Sequence, residues 1–193
     1  HQVATHGGEG GKTFVISSSG NAAVSASAAC EVTGNRLVAF VRPKTSHHKL
    51  TRLLASSASV VVCPKPINFC RFAARVFGLH NLRATQDPIA STGYQEIGAE
   101  LKRDRPDLDA LFTFSSSGIS LEGIADSYGR SGPALWAIQS GECIGIATAL
   151  NPDLVPEPHS PAGRLGVRNP PGAAALASRL SRSGGGALAV PAS

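Results

Sequence analysis

The sequence predicts an α/β protein built as two lobes of parallel β-sheet with flanking helices. Three observations carry that expectation. Short apolar runs alternate with stretches of helical length and spacing along the whole chain. Residues 60–63, Val-Val-Val-Cys, form an uninterrupted apolar run, the pattern of a parallel strand covered on both faces. Finally, an apolar strand running into Ser-Ser-Ser-Gly and then a helix occurs twice, once through Ser17 to Gly20 and again through Ser115 to Gly118.

Taken in order, residues 13–16 read as a strand and 21–32 as a helix of small residues. A strand is expected at 37–41, then a helix at 48–55 with Leu50, Leu53 and Leu54 on one face. The strand at 60–63 follows, and Phe69, Phe72, Ala73 and Val76 then recur at helical spacing. The polar, proline-containing stretch 84–91 marks a boundary, dividing the chain into a small lobe (1–86) and part of a larger one (87–193). Beyond it the pattern resumes with a helix at 94–103, a strand at 110–114, a helix at 118–128 and a strand at 135–139. Residues 151–171 hold six prolines and read as an extended connection. Ala173, Leu176, Ala177 and Leu180 mark a last amphipathic helix, and Gly184-Gly185-Gly186 leads to a strand at 187–190.

Composition narrows the function. With 193 residues, 42% of them hydrophobic, and a mean hydropathy of +0.03, the chain can bury a core. No apolar run reaches the length of a membrane span, and no signal segment opens the sequence, so a cytoplasmic protein is expected. Cys30, Cys63, Cys70 and Cys143 lack zinc or CxxC spacing and read as buried thiols of a reducing compartment. The six histidines are scattered, and His47-His48 reads as a surface pair. The net charge is +5, with Arg42, Lys44, Lys49 and Arg52 gathered near those histidines. Aromatic residues to stack on bases are missing there, so the cluster reads as a solvated face that attracts a small anionic substrate, not nucleic acid. The chain opens on His1 and contains no methionine, as expected of a fragment or a processed chain.

Ligands of parallel α/β sheets gather where strands end and helices begin. Both Ser-Ser-Ser-Gly stretches stand at such a place. Glycine lets the backbone approach a ligand, serine hydroxyls donate, and the first helical amides point outward without partners, so both mouths suit an anion. Simple helix capping by serine is the plainer explanation of either copy alone. Two other chemistries are weighed and set aside. Residues 6–13, His-Gly-Gly-Glu-Gly-Gly-Lys-Thr, come close to the phosphate-binding loop GxxxxGK(S/T), but His6 stands where its first glycine belongs. That loop also follows a strand and opens a helix, whereas Lys12-Thr13 leads straight into a strand. A nucleophile elbow needs GxSxG, and neither copy has it.

The stretch Ser17-Ser18-Ser19-Gly20-Asn21-Ala22-Ala23 resembles the SSGN loop of the fold-type-II pyridoxal-phosphate enzymes, among them threonine synthase, cysteine synthase, the serine/threonine dehydratases and the tryptophan synthase β chain. The resemblance implies that Ser18, Ser19 and Gly20 bind the substrate carboxylate and that Asn21 meets the 3-hydroxyl of the cofactor ring. Ser116-Ser117-Gly118-Ile119-Ser120, followed by Leu121-Glu122-Gly123-Ile124, looks like the family's phosphate loop, with Ser116 and Ile119 replacing smaller residues. Ile119 then needs an ordinary backbone conformation where glycine would be freer. Residues 44–62 look like the family's next helix and strand, and 136–139, Trp-Ala-Ile-Gln, like its Val-Gln strand. Residues 162–167 and 183–186 are most similar to threonine synthases. The fold implied is that of the tryptophan synthase β chain, with the two serine-rich turns gripping one cofactor–substrate assembly from opposite ends.

The family's chemistry needs a lysine joined to the cofactor aldehyde, upstream of the SSGN loop. Only Lys12 precedes the loop here. At about 3.3 Å per strand residue it starts roughly 13 Å from the strand end that carries the loop, so it is a poor candidate. The resemblance therefore implies pyridoxal 5′-phosphate as cofactor and a small amino acid as substrate, in a central portion that carries the anion sites without the catalytic lysine. The pyridine-nitrogen partner, near the family's C-terminus, is not found either. The reaction implied is threonine synthase-like, a β- or γ-elimination or replacement. Residues 87–94 lack the arginine that threonine synthases use for a substrate phosphate, and Arg83 is the nearest. No metal or membrane is implied, and a homodimer is carried as the candidate assembly. The competing class is a non-catalytic α/β protein that binds a small anion or a protein partner.

Overall fold

The computed structural model describes residues 1–159 and 166–191, which divide into two compact units, His1–Pro88 and Ile89–Ser193. Both are parallel α/β layers, as the alternating sequence pattern predicts. Among the described residues no helix is long and apolar enough to cross a membrane.

In the first unit, helix α1 (Gln2–Gly7) leads into strand β1 (Thr13–Ile16), helix α2 (Asn21–Val32) and strand β2 (Arg36–Val41). Helix α3 (His47–Leu54), strand β3 (Ser59–Val62), helix α4 (Pro66–Val76) and the two-residue strand β4 (His80–Asn81) follow. The sheet order is β3-β2-β1-β4, all parallel, with Phe14 opposite Leu37 and His80. β1 is thus central and its side chains Phe14, Val15 and Ile16 are buried. One face packs Phe14, Ile16, Leu37 and Ala39 against Ala23, Cys30 and Leu53, and the other packs Val15 and Phe40 against Cys63, Cys70 and Ala73. α2 ends where its composition says it should. Gly34 takes a left-handed φ of 66°, and Asn35 N returns to the Cys30 carbonyl at 2.7 Å, closing the last turn.

Two expectations about this unit are corrected. The strand expected at 60–63 is an edge strand, not one covered on both faces, and Val62 is 54% exposed. An apolar run reports β propensity and cannot by itself report which neighbours the topology supplies. In α4 the helical face that is buried carries Pro66, Cys70 and Ala73, while Phe69, Phe72 and Val76 lie outward. All four cysteines are buried and free, as expected.

The second unit holds helix α5 (Gln95–Asp104), strand β5 (Ala110–Phe114), helix α6 (Ile119–Tyr128), strand β6 (Ala134–Ser140), helix α7 (Gly145–Leu150), helix α8 (Ala173–Arg182) and strand β7 (Gly186–Val190). The strands form a parallel sheet in the order β5-β6-β7. Its core joins Leu121 and Ala125 of α6, Leu135 and Ala137 of β6, Ile146 of α7, and Leu176 and Leu180 of α8. On the opposite sheet face Phe112 stacks on Trp136 with ring centroids 5.8 Å apart. Part of the connection expected at 151–171, and most of the 162–167 stretch, lies outside the described residues.

Candidate functional site

Because β1 is central and parallel, its C-terminal end delivers Ser17 to Gly20 to the mouth of α2. Ser18, Ser19 and Gly20 are half-buried there, and Gly20 is the cap residue, with extended backbone. The Gly20 amide donates to Ser18 Oγ at 3.3 Å, folding the turn onto its own hydroxyl. The Gly20 carbonyl accepts from Ala23 N at 3.0 Å and Val24 N at 3.3 Å. The amides of Ser18, Ser19, Asn21 and Ala22 donate to no group among the described residues, as expected of a helix mouth.

Two arginines flank this turn. Arg83 Nη1 donates to Ser17 Oγ at 3.4 Å, and its Nε to Thr85 Oγ1 at 3.2 Å. Burial, aided by the charge of Arg71, pushes the Arg83 guanidinium below its ordinary pKa. Arg52 Nη1, from α3, donates to Asn21 Oδ1 at 3.3 Å. Asn21 is exposed, and that bond leaves its Nδ2 pointing a donor elsewhere.

The second turn is anchored more deeply. Ser115 is buried; its amide donates to the Ile138 carbonyl at 2.8 Å and its Oγ to the Thr113 carbonyl at 3.2 Å. Gln139, 1% exposed in β6, ties the turn to α7. Its Nε2 donates to the Ser115 carbonyl at 3.2 Å, while its Oε1 accepts from Ile146 N at 3.0 Å and Ala147 N at 2.9 Å. A side chain on a strand therefore satisfies two orphan amides of a neighbouring helix and positions the serine turn in one stroke. Ser116, Ser117, Ile119 and Ser120 are half-buried around the mouth of α6, and Gly118 is buried.

Gly118 caps α6 with φ 85°, and a Cβ there would collide with Leu176 Cδ2 and lie 3.2 Å from Ile146 Cδ1. The demand for glycine thus falls on Gly118, and Ile119 starts the helix in ordinary backbone. The amides of Ser116 through Leu121 donate to no group among the described residues. Glu122, in the first turn of α6, would oppose an anion. It lines a surface cavity with Arg130, Arg179 and Arg182.

Lys12 stands at the N-terminal end of β1, where its Nζ donates to the His6 carbonyl at 2.6 Å. It is remote along the strand from the turn at Ser17, as the sequence implies. Among the described residues no histidine bonds either serine turn; His47 meets Thr51, while His6 and His80 meet Asp87. The sequence places Arg52 in a basic cluster but does not show its bond to Asn21, nor the Arg83–Ser17 contact, the Gln139 anchor or the His6–His80–Asp87 cluster. Only Gln139 carried a signal, as a long polar side chain in the apolar run Ala134–Ile138 and its continuation.

Comparison with known proteins now places the chain. The family model described as "Pyridoxal-phosphate dependent enzyme" matches residues 1–193, and the chain belongs to that family. The structure of O-ureido-L-serine synthase superimposes with a TM-score of 0.72 at 20% identity, over 89% of this chain and 56% of that one. Maize serine racemase gives a TM-score of 0.76 at 15% identity, over 93% and 56%. Processed threonine deaminase isoform 2 from Solanum lycopersicum gives 0.66 at 18% identity, over 71% and 39%. These likenesses establish the fold, and the chain spans little more than half the length of the first two structures. No curated protein matches.

Proposed function

We propose that this chain supplies the anion-binding turns of a pyridoxal-phosphate dependent enzyme acting on a small amino acid. The cofactor's phosphate ester falls to Ser116, Ser117, Gly118, Ile119 and Ser120, and the substrate carboxylate to Ser18, Ser19 and Gly20. The observation that carries the reading is the run of unpartnered amides at the mouth of α6, held open by Gly118 and fixed from behind by Gln139. The donor set suits a phosphate ester: amide N–H groups and serine hydroxyls at a helix N-terminus.

The cofactor's ring supplies electron withdrawal that stabilises negative charge on an amino acid's α-carbon. This chain's residues bind and orient around that chemistry. The amides of Ser18 and Ser19 hold a carboxylate, with the Arg83 guanidinium adding positive potential through Ser17. Asn21, its oxygen engaged by Arg52, presents Nδ2 as a donor to the ring's 3-oxygen. Lys12 moves no proton at the α-carbon, because its ammonium is committed to the His6 carbonyl at the other end of β1. The reaction we assign is threonine synthase-like elimination or replacement at the β- or γ-carbon, with the chain by itself inactive. Residues 87–94 hold no arginine for a phosphorylated substrate side chain.

A helix mouth contributes up to about 2 kcal/mol toward an anion, whereas micromolar affinity needs about 8 kcal/mol. Binding without a covalent anchor is therefore weak. Calorimetric titration tests this. Pyridoxal phosphate should bind measurably, free pyridoxal should not, inorganic phosphate should compete, and Ser117→Asp should abolish binding. Equal binding of pyridoxal and pyridoxal phosphate would overturn the phosphate assignment. Borohydride reduction that fixes the cofactor to one specific lysine would overturn the claim of inactivity.

A further inference from the structure

Asp87 carries a cluster that the proposed cofactor chemistry does not use. Its carboxylate is 1% exposed, and three side chains converge on the single atom Oδ2. Gln2 Nε2 donates to it at 2.6 Å, His6 Nε2 lies at 3.1 Å, and His80 Nε2 lies at 3.1 Å. The two imidazoles lie with centroids 3.8 Å apart and planes tilted by 33°, and His80 also meets Phe14 edge-on at 5.9 Å. Three donors on one carboxylate oxygen exceed its two lone-pair directions, so hydrogen bonding alone is a poor account of the arrangement.

The distances fit a different arrangement. Imidazole nitrogen and carboxylate oxygen bind zinc at about 2.0–2.2 Å in a tetrahedron, which sets its ligand atoms about 3.3 Å apart. Both N···O separations here are 3.1 Å, and the ligand atoms of His6, His80 and Asp87 all lie within 4.8 Å of one another. Two imidazoles and one carboxylate select a first-row divalent ion over magnesium or calcium, which prefer oxygen. The side chains of His6 and His80 are 29% and 36% exposed, so an ion has an entry path and a fourth position for water.

We infer that His6, His80 and Asp87 form a zinc-type divalent cation site in the first unit. The ion binds the Nε2 lone pairs of two neutral rings, whose protons move to Nδ1, while Gln2 keeps its hydrogen bond to the carboxylate as an orienting neighbour. Its three ligands come from α1, β4 and the segment after the Ala84–Gln86 turn, so the ion clasps the N-terminal helix to the edge strand. The site lies beside Phe14 and is not part of either serine turn; its existence does not depend on the cofactor proposal.

The test is zinc retention by the chain after equilibrium dialysis, read by elemental analysis, with zinc-edge X-ray absorption for ligand type. One zinc per chain is expected, with nitrogen and oxygen neighbours, two imidazoles and no sulfur, and a melting temperature that rises with zinc. His6→Gln, which keeps a polar side chain at a part-exposed position, should weaken binding by about a hundredfold or more. His80→Ala should do the same, with its fold checked by circular dichroism without metal. Failure of the unaltered chain to retain zinc overturns the inference, whatever the variants do. So does sulfur ligation, or equal retention by His6→Gln.

Discussion

Replacing Gln139 with leucine removes a side chain of similar size while deleting all three of its hydrogen bonds. The amides of Ile146 and Ala147 and the carbonyl of Ser115 then lose their partner in a site 1% exposed. A buried polar group left unpaired costs about 1–3 kcal/mol. Local relaxation recovers part of the sum, so about 3 kcal/mol is the expected loss. For a unit near 100 residues that corresponds to a fall in Tm of about 10–20 °C. Trp136 is the only tryptophan, three residues from Gln139 in the same strand and stacked on Phe112. Its fluorescence during urea unfolding therefore reports the second unit directly. A loss under about 1 kcal/mol would refute the idea that Gln139 holds the serine turn against α7.

Gly118→Val places a branched side chain at φ 85° against Leu176, and should cost roughly 1–3 kcal/mol by strain and overpacking, read in the same fluorescence melt. Burial pushes the Cys70 thiol up to about 11. The raised folded-state value means that its contribution is intact below the unfolded thiol's pKa and is lost as pH climbs from about 9 through 11, a fall of about 2 kcal/mol measurable by urea melts across that range. At neutral pH Cys70 should resist alkylation until the chain unfolds, as mass spectrometry after iodoacetamide treatment would record. Arg83→Ala should weaken amino-acid carboxylate binding by about tenfold, whereas Arg83→Lys should retain part of it, both by calorimetry.

Much of this architecture was legible in the chain. Strands such as Thr13–Ile16, central in its sheet, and Ala110–Phe114, at an edge, are apolar because both faces or one face must be covered, and the serine turns follow them at the ends where parallel sheets bind ligands. What escaped was short or non-local. β4 has two residues and α1 has six, too few for a period to show. α7 begins after a turn and is capped from Gln139, a residue of another element. His6, His80 and Asp87 are 81 and 7 residues apart in their pairings, so spacing gave no hint that one carboxylate collects both rings. The exposure of Val61 and Val62 likewise follows from strand order, which no local run of valines encodes.

The central claim is that the mouths of α2 and α6 are the anion sites. Backbone amide chemical shifts of the isotope-labelled chain, followed while pyridoxal phosphate and then a small amino acid are added, address it most directly. The account predicts that the cofactor moves the amides of Ser116 through Ser120 most, and that the amino acid moves those of Ser18 through Asn21. Shifts confined to the exposed basic residues Arg42, Lys44 and Lys49, or no saturable shift at either turn, would contradict it.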